Sequence, residues 1–310
     1  MTRRRPRVVV VGSYAVGLVM RARRMPAVGE TVLGHGFQAM DGGKGSNQAV
    51  ACARLGAQTH LVAAVGDDAY GDRALAMLRA EGVETSLVRR VAGTPTGVGF
   101  ILVDDAGNNA IAVDLGANSL LDHHDVDRAE EAIAAADVVL AQLEIPPRTA
   151  LYAAEVARRH GVRTILNPAP AQPLDPAGLR HVEIITPNLS EARTLCGLDS
   201  IAPAELARAL QASGVGTVVL TRGEQGAWIA DGAEGLAVPA PHVQPVDTTG
   251  AGDAFNAALA VALAEGQTLP RAVRLACAAG AYAVRSLGTV PSYATRARLD
   301  AFIAAVDEGG

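Results

Sequence analysis

The segment Asp247-Thr248-Thr249-Gly250-Ala251-Gly252-Asp253 concentrates the residue types that phosphate chemistry uses. Three small residues in a row at the start of an apolar helix let backbone N–H groups approach an anion, and the helix dipole points the same way. A carboxylate beside such a hole, Asp253, can take a proton from a hydroxyl while the amides of Gly250, Ala251 and Gly252 stabilise a transferring phosphoryl group. The same Gly-x-Gly-Asp pattern also serves plain helix capping, with Asp253 as the N-cap. A second cluster, Gly42-Gly43-Lys44-Gly45-Ser46-Asn47-Gln48, opens another helix. It fails as a Walker A loop, because Gln38 stands at the first glycine position and Gly45 follows the lysine. It reads instead as a loop in which the backbone and Asn47 face a small polar ligand. A tight turn alone explains its glycines but not Lys44 and Asn47 together.

The elements around these clusters alternate. Strands are predicted at Val8–Val11, His60–Val65, Val138–Gln142, Arg163–Leu166, Glu183–Thr186 and Thr217–Thr221. Helices are predicted at Gly45–Leu55, Ala69–Glu81, Asp125–Ala136, Arg148–His160, Ala202–Ala212, Ala254–Glu265 and Leu269–Val284. Glycine stands at the expected C-caps of several, and near-continuous apolar strands imply a mostly parallel sheet covered on both faces. Glu30–Met40 and Gly97–Val113 read as extended chain outside that rhythm, the second with a hairpin signal at Ala106-Gly107-Asn108-Asn109. They predict a small separate β-sheet over the active-site crevice. The expectation is one domain over residues 1–310, with lid segments at about 14–41 and 93–114 inserted in it.

Composition narrows the function further. With 49% hydrophobic, 19% charged and only 3% aromatic residues and a net charge of −5, the chain has neither the field nor the stacking surface for nucleic acid or anionic lipid. No apolar run approaches a membrane span. The basic start, Arg3, Arg4, Arg5 and Arg7, reads as a solvated tail before the first strand. Gly12-Ser13 interrupts the apolar stretch that follows it, and arginines stand where a signal-cleavage site belongs. Cys52, Cys196 and Cys277 lack CxxC spacing and read as reduced, buried thiols, and a cytoplasmic location is expected. His123-His124, between Asp122 and Asp125, reads as a solvated helix start, not a metal site, and Glu130-Glu131 as a solvated helix face.

Taken together, the two glycine clusters resemble the signatures of the ribokinase-like (PfkB) family of sugar and nucleoside kinases. Thr186-Pro187-Asn188-Leu189-Ser190-Glu191 is similar to that family's Asn-x-x-Glu element, and Thr221-Arg222-Gly223-Glu224-Gln225-Gly226 to its nucleotide-binding turn. The resemblance runs almost end to end. It implies an α/β three-layer sandwich with a central, mostly parallel sheet and a β lid that often mediates homodimerisation. It also implies ATP as phosphoryl donor, with Mg2+ and an activating K+. Asp253 would be the base. Gly43, Lys44, Asn47 and Glu144 would hold a sugar or sugar-like alcohol. Asn188, Thr221, Gly223, Gly226 and the helix around Cys277 would line the nucleotide site, with Glu191 organising magnesium through water. Asp247, Thr249, Ala283, Ser286, Gly288 and the Ser292 hydroxyl match the monovalent-cation loop.

One segment departs from the pattern. Ribokinases typically carry Gly-Ser-x-Asn-x-Asp after the first strand and grip sugar hydroxyls with the Asn and Asp. Here Ala15 stands for the Asn and Gly17 for the Asp. Each lost charge-assisted bond forfeits about 1.5–3 kcal/mol, and Gly17 opens room for a bulkier or less polar acceptor, with Tyr14 available nearby. A pentose, a nucleoside and a non-catalytic sugar-binding role all stay open at this point.

Overall fold

The computed structural model describes residues 4–231 and 234–309. In chain order its first strands are β1 (Arg7–Val11), β2 (Ala15–Ala22), β3 (Gly34–Gly42), β4 (Gln58–Gly66), β5 (Val83–Glu84), β6 (Val88–Val91), β7 (Gly97–Val103) and β8 (Asn109–Asp114). They are followed by β9 (Val138–Gln142), β10 (Arg163–Asn167), β11 (Ile184–Ile185), β12 (Thr217–Thr221), β13 (Ala227–Asp231) and β14 (Glu234–Val238). The first helices are α1 (Lys44–Arg54), α2 (Ala69–Ala80), α3 (His123–Arg128), α4 (Glu130–Ala134), α5 (Pro147–Arg159) and α6 (Pro176–Leu179). The remaining ones are α7 (Leu189–Cys196), α8 (Pro203–Ala212), α9 (Ala251–Ala264), α10 (Leu269–Ala283) and α11 (Arg296–Gly309).

The large sheet runs β14-β13-β12-β11-β10-β9-β1-β4-β5, with β6 also paired to β4. Every pairing from β12 to β5 is parallel, and only β13 and β14 join in antiparallel fashion. Alternation along the strands divides the core in two. Val8, Val10, Leu61 and Leu140 pack under α1, α9 and α10, whereas Val9, Val11, Val62 and Val139 pack under α3, α5 and α8. Each such side chain contributes about 1.5–3 kcal/mol by leaving water, which is why these strands read as unbroken apolar runs. Helix α9 is buried from Asp253 to Leu263, as an all-round apolar helix must be.

The order of strands reverses at β1, which has β4 on one side and β9 on the other. The crevice beyond the carboxyl ends of β1 and β9 is therefore the place where a doubly wound sheet binds ligands. Over it stands a four-stranded lid, ordered β3-β2-β7-β8.

Four local expectations change. The helix foreseen at 125–136 is two helices, α3 and α4, joined at Ala129 (φ −92, ψ −1), and no glycine or proline marks that break in the sequence. Asp122 caps α3 in a capping box with Asp125, so His123-His124 does sit at a helix start. Of the basic tail, Arg3 lies outside the described residues; Arg4 pairs with Asp137, and Arg5 donates to the Gly56 and Ala57 carbonyls at the end of α1. Glu130 is held by the His160 ring at 2.8 Å and so is not simply solvated. The cysteines are free, and Cys196 is only half-buried. Among the described residues no helix is long and apolar enough to cross a membrane, and no group of three His, Cys, Asp or Glu side chains could hold a metal by itself.

Candidate active site

Helix α9 begins at Gly250, whose φ of 78° is open to glycine at little cost; a Cβ there would stand 2.6 Å from the Tyr293 hydroxyl. Ala254 N donates to Gly250 O at 2.9 Å and Ala251 N to Thr248 O at 3.3 Å. The amides of Gly252 and Asp253 donate to no described residue. A Cβ built on Gly252 meets nothing within 4 Å. Two free N–H groups at a helix start thus border open space, the arrangement that receives an anion.

Asp253 is not the cap. It lies in the first turn of α9, 5% exposed, and its carboxylate is turned to α1. Oδ2 accepts from Asn47 Nδ2 and Oδ1 from Gln48 Nε2, both at 2.9 Å. These bonds occupy the side chain that the capping reading required. Burial raises the Asp253 carboxyl above its ordinary range, opposed by Lys44 and by the two carboxamides. A carboxylate made more basic by its surroundings is what proton abstraction from an alcohol calls for.

Gln48 is the hub of a wider network. It receives Gln142 Nε2 at 2.6 Å and donates to Asn167 Oδ1 at 3.1 Å as well as to Asp253. Beyond Asn167, Thr186 donates to Asn256 at 2.6 Å, and Asn256 Nδ2 donates to Gly252 O at 2.8 Å. Asp253 and the helix start are therefore tied by one buried polar chain, closed by Asn167 Nδ2 donating to Thr186 O at 3.4 Å. Asn47 Oδ1 is left buried without a partner, an acceptor free to receive a ligand hydroxyl.

The start of α1 is pressed against the turn after β1. A Cβ on Gly45 would lie 2.3 Å from Ser13 N, so only glycine fits this approach. Glu144, just past β9, accepts from Ser13 Oγ at 2.6 Å and from Lys44 N at 2.8 Å. Burial works against the Lys44 ammonium, but Asp253, Glu144 and Glu191 outweigh it and raise its pKa. One ammonium among three carboxylates leaves the crevice negative before any phosphate enters. A polyanion needs further cations there.

On the other flank, Asn188 caps α7 in a capping box with Glu191, and a bridge joins Asn188 to Thr221. Burial raises the Glu191 carboxyl, with the Asn188 amide and Lys44 opposing. Gly223 and Gly226 turn the chain between β12 and β13; a Cβ on Gly226 would meet Val238 O at 2.0 Å. Cys277 is buried under this turn, its sulfur 3.9 Å from Val238 O, and burial pushes its thiol up to about 12. Asp247 gathers the last group of candidates, accepting from Thr249 N and Gly288 N at 2.9 Å each. Despite burial, the side chain and amide of Thr249 together with the Gly288 amide hold its carboxyl below the usual range. Ser286 N donates to Ala283 O at 3.3 Å, and the Ser292 hydroxyl to Thr289 O at 2.7 Å.

Tyr14 does not reach the crevice as an acceptor contact. It is fully buried and its hydroxyl donates to Asp41 at 2.6 Å. Ala15 and Gly17 lie in register with Gly42 and Met40 across the lid pairing of β2 and β3. Sequence reasoning missed Gln48, Gln142 and Asn167 as supports of Asp253. The only signal was their polar type at the ends of strongly apolar elements.

The sequence profile of the pfkB family carbohydrate kinases matches residues 5–296. The chain is 41% identical to the ribokinase of Bacillus subtilis over 93% of its own length and 96% of the relative's. It is 36% identical to the deoxyribokinase of Salmonella typhimurium over 92% of its length and 95% of the relative's. Among solved structures, Arabidopsis thaliana ribokinase complexed with ribose and ATP superposes with a TM-score of 0.89 at 31% identity, covering 96% of this chain and 99% of that one. The chain belongs to the pfkB family of carbohydrate kinases, and its reaction is the ATP-dependent phosphorylation of a sugar hydroxyl.

Proposed function

We propose that the acceptor sugar lies over Gly42-Gly43, its reacting hydroxyl between Asp253 and the open space at Gly252. Asn47 Oδ1, Lys44 and Glu144 hold its other hydroxyls. Asp253 takes the proton as the hydroxyl attacks the γ-phosphate of ATP in line, and the Gly252 and Asp253 amides receive the transferring group. Gly250 and Ala251 set the direction of those amides. The nucleotide lies along Asn188, Thr221, Gly223 and Gly226, with α10 around Cys277 as the wall behind.

The negative crevice supports two bound cations. Mg2+ keeps most of its waters and sits mainly on phosphates, so Glu191 alone, through water, suits it, and it would neutralise charge on the β- and γ-phosphates. The oxygens of Asp247, Thr249, Ala283, Ser286, Gly288 and Ser292 suit a K+ ion, which would support the anion hole from behind. The lid's inner face offers Ala15 and Gly17 where a polar grip is usual, so the acceptor presents a weakly polar edge there; a deoxypentose fits this better than ribose. The room at Gly17, where a Cβ would touch only Ile101 Cδ1 at 3.4 Å and Met40 O at 3.8 Å, also favours a nucleoside as the second reading. Exposed Phe37, Phe100, Ile111 and Val113 on the lid support a homodimer formed through it.

The observation that carries the mechanism is the buried Asp253 carboxylate, held by two carboxamides beside free amides. Asp253→Asn is expected to lower kcat by about 10²–10⁴-fold while ATP binding by calorimetry persists. In the unmodified enzyme kcat/KM should fall as pH drops through the raised Asp253 pKa, at a pH above the ordinary aspartate range. Unimpaired turnover in the variant would show that another group is the base.

A further inference from the structure

Asp41, the residue before Gly42-Gly43, has no place in the chemistry above, yet three parts of the molecule converge on it. Its carboxylate accepts from the Tyr14 hydroxyl at 2.6 Å and from Arg73 Nε and Nη2 at 2.9 Å each. Arg73 stands on α2, outside the lid, and its Nη2 also donates to Ala39 O at 2.9 Å. Tyr14 is itself immobilised: its N donates to Asn118 Oδ1 at 3.0 Å, and its carbonyl accepts from Asn118 Nδ2 at 2.8 Å. On the main chain, Asp41 O accepts from Thr289 Oγ1 at 3.2 Å, next to the Gly288 amide that Asp247 holds.

The strand register explains why this matters. Val16 pairs with Asp41 while Gly17 pairs with Met40 and Ala15 with Gly42. Successive residues face opposite sides of a sheet, so Asp41 and Val16 turn to the body, where Val16 packs with Tyr14, Val65 and Ala74. Ala15, Gly17 and Gly42 turn to the crevice. A forked guanidinium–carboxylate pair is directional, and it therefore fixes the angle at which β3 leaves for the acceptor loop. Apolar packing at this point would leave that angle softer.

We propose that the Asp41–Arg73–Tyr14 clamp is a positioning device that sets the Gly42-Gly43 floor, aligning the acceptor through the lid hinge where Ala15 and Gly17 provide no side-chain grip. The inference rests on the reading that the acceptor lies over that floor. Arg73 touches no reacting group; it acts through Asp41. Its side chain is 39% exposed and that of Asp41 18%, so salt weakens the clamp without abolishing it.

The test is Arg73→Met, with Arg73→Lys and Tyr14→Phe beside it. Displacement of the floor in Arg73→Met should raise the acceptor KM about tenfold and leave the ATP KM unchanged. Arg73→Lys should recover part of the loss and Tyr14→Phe should show a smaller one. High salt should raise the acceptor KM of the unmodified enzyme but not that of Arg73→Met. Amide exchange should quicken at residues 40–43 in Arg73→Met and stay unchanged in α9. An acceptor KM that does not move, or one that moves in step with the ATP KM, overturns the proposal. If the unmodified enzyme phosphorylates no compound of a sugar and nucleoside panel, the acceptor reading has failed, and amide exchange then decides the clamp alone: equal rates at 40–43 reject it. Should Arg73→Met not fold, the same exchange comparison on Tyr14→Phe serves.

Discussion

Gly17→Asp returns to the lid a carboxylate that ribokinases typically carry at this position, and the structure sets the size of the effect. Gly17 has no left-handed φ, and a Cβ there meets Ile101 Cδ1 at 3.4 Å, an ordinary contact, and Met40 O at 3.8 Å. The facing Gly99 is as open, with Ile101 Cδ1 at 4.0 Å. The side chain therefore enters without strain, and the melting temperature should stay within a few degrees. A charge-assisted bond from a sugar hydroxyl to the new carboxylate contributes about 1.5–3 kcal/mol, which is roughly ten- to a hundredfold in kcat/KM. Ala15→Asn is the neutral companion, because it adds a donor and acceptor without adding to the negative charge of Asp253, Glu144 and Glu191. The assay is ADP release with ribose and with 2-deoxyribose at saturating ATP. The variants should gain on ribose and shift the ribose-to-deoxyribose ratio upward. No gain on either sugar with the fold intact would mean that β2 does not face the acceptor, and a gain equal on both would mean that the new carboxylate meets a hydroxyl the two sugars share, refuting the preference for a deoxypentose drawn from Ala15 and Gly17.

Other outcomes follow from the phosphate end and the lid. Gly252→Ala places a methyl group in open space and should leave stability unchanged while lowering kcat at least about tenfold; Gly250→Ala, at φ 78° and 2.6 Å from the Tyr293 hydroxyl, should instead destabilise by about 1–3 kcal/mol in denaturant titration. Full turnover in Gly252→Ala would move the phosphate seat elsewhere. Turnover should be higher in K+ than in Na+ or tetramethylammonium at equal ionic strength, and equal rates in all three would remove the cation from the loop of Asp247 and Gly288. Sedimentation should show a dimer that Phe100→Asp, at a lid position 58% exposed, converts to monomer; a monomeric unmodified chain would refute the lid interface.

Six parallel strands of the large sheet were legible because each carries its own signal, whereas the short parallel strands β5 and β6 escaped. Buried on both faces, Val8–Val11 and Val138–Ala141 are apolar without interruption, and the observed strands begin and end within a residue of that reading. The lid strand β2 was harder to name as a strand. Its residues are only partly buried, with the pattern broken at Met20 and Arg21, and its partners β3 and β7 come from two separate stretches of chain. The strands β13 and β14 also escaped: they are the antiparallel end of the sheet, joined as a hairpin outside the strand–helix rhythm, and β14 is the edge strand.

At the site the division runs between local and remote geometry. The proposed anion hole is backbone at a helix start, so three small residues in a row announce it. What escaped was what holds Asp253 and the turns around it. Gln48 reaches Asp253 across 205 residues, Ser13 reaches Glu144 across 131, and Thr289 reaches Asp41 across 248. No spacing rule can express such pairs, because they exist only once the sheet brings β1, β9 and α9 to one crevice. The capping reading of Asp253 failed for the same cause: a local rule offered its carboxylate to the helix, and two remote carboxamides held it instead.

This division has a consequence for how the enzyme chooses its acceptor. The phosphate end is set by α9, α1 and the ends of β1 and β9, all in the core. In the proposed reading the acceptor end is set by β2 and β3, whose two faces carry different duties: Ala15, Gly17 and Gly42 would turn to the sugar, while Val16, paired with Asp41, packs on the body. Residues on the first face can change without disturbing the second, because alternation keeps their side chains on opposite sides of the sheet. With Ala15 and Gly17 in place of polar residues, the Asp41–Arg73–Tyr14 contacts are still made, and under the proposed clamp they would keep the acceptor floor aligned with Asp253. Selectivity can drift along one face of a strand pair while the catalytic alignment is held from the other.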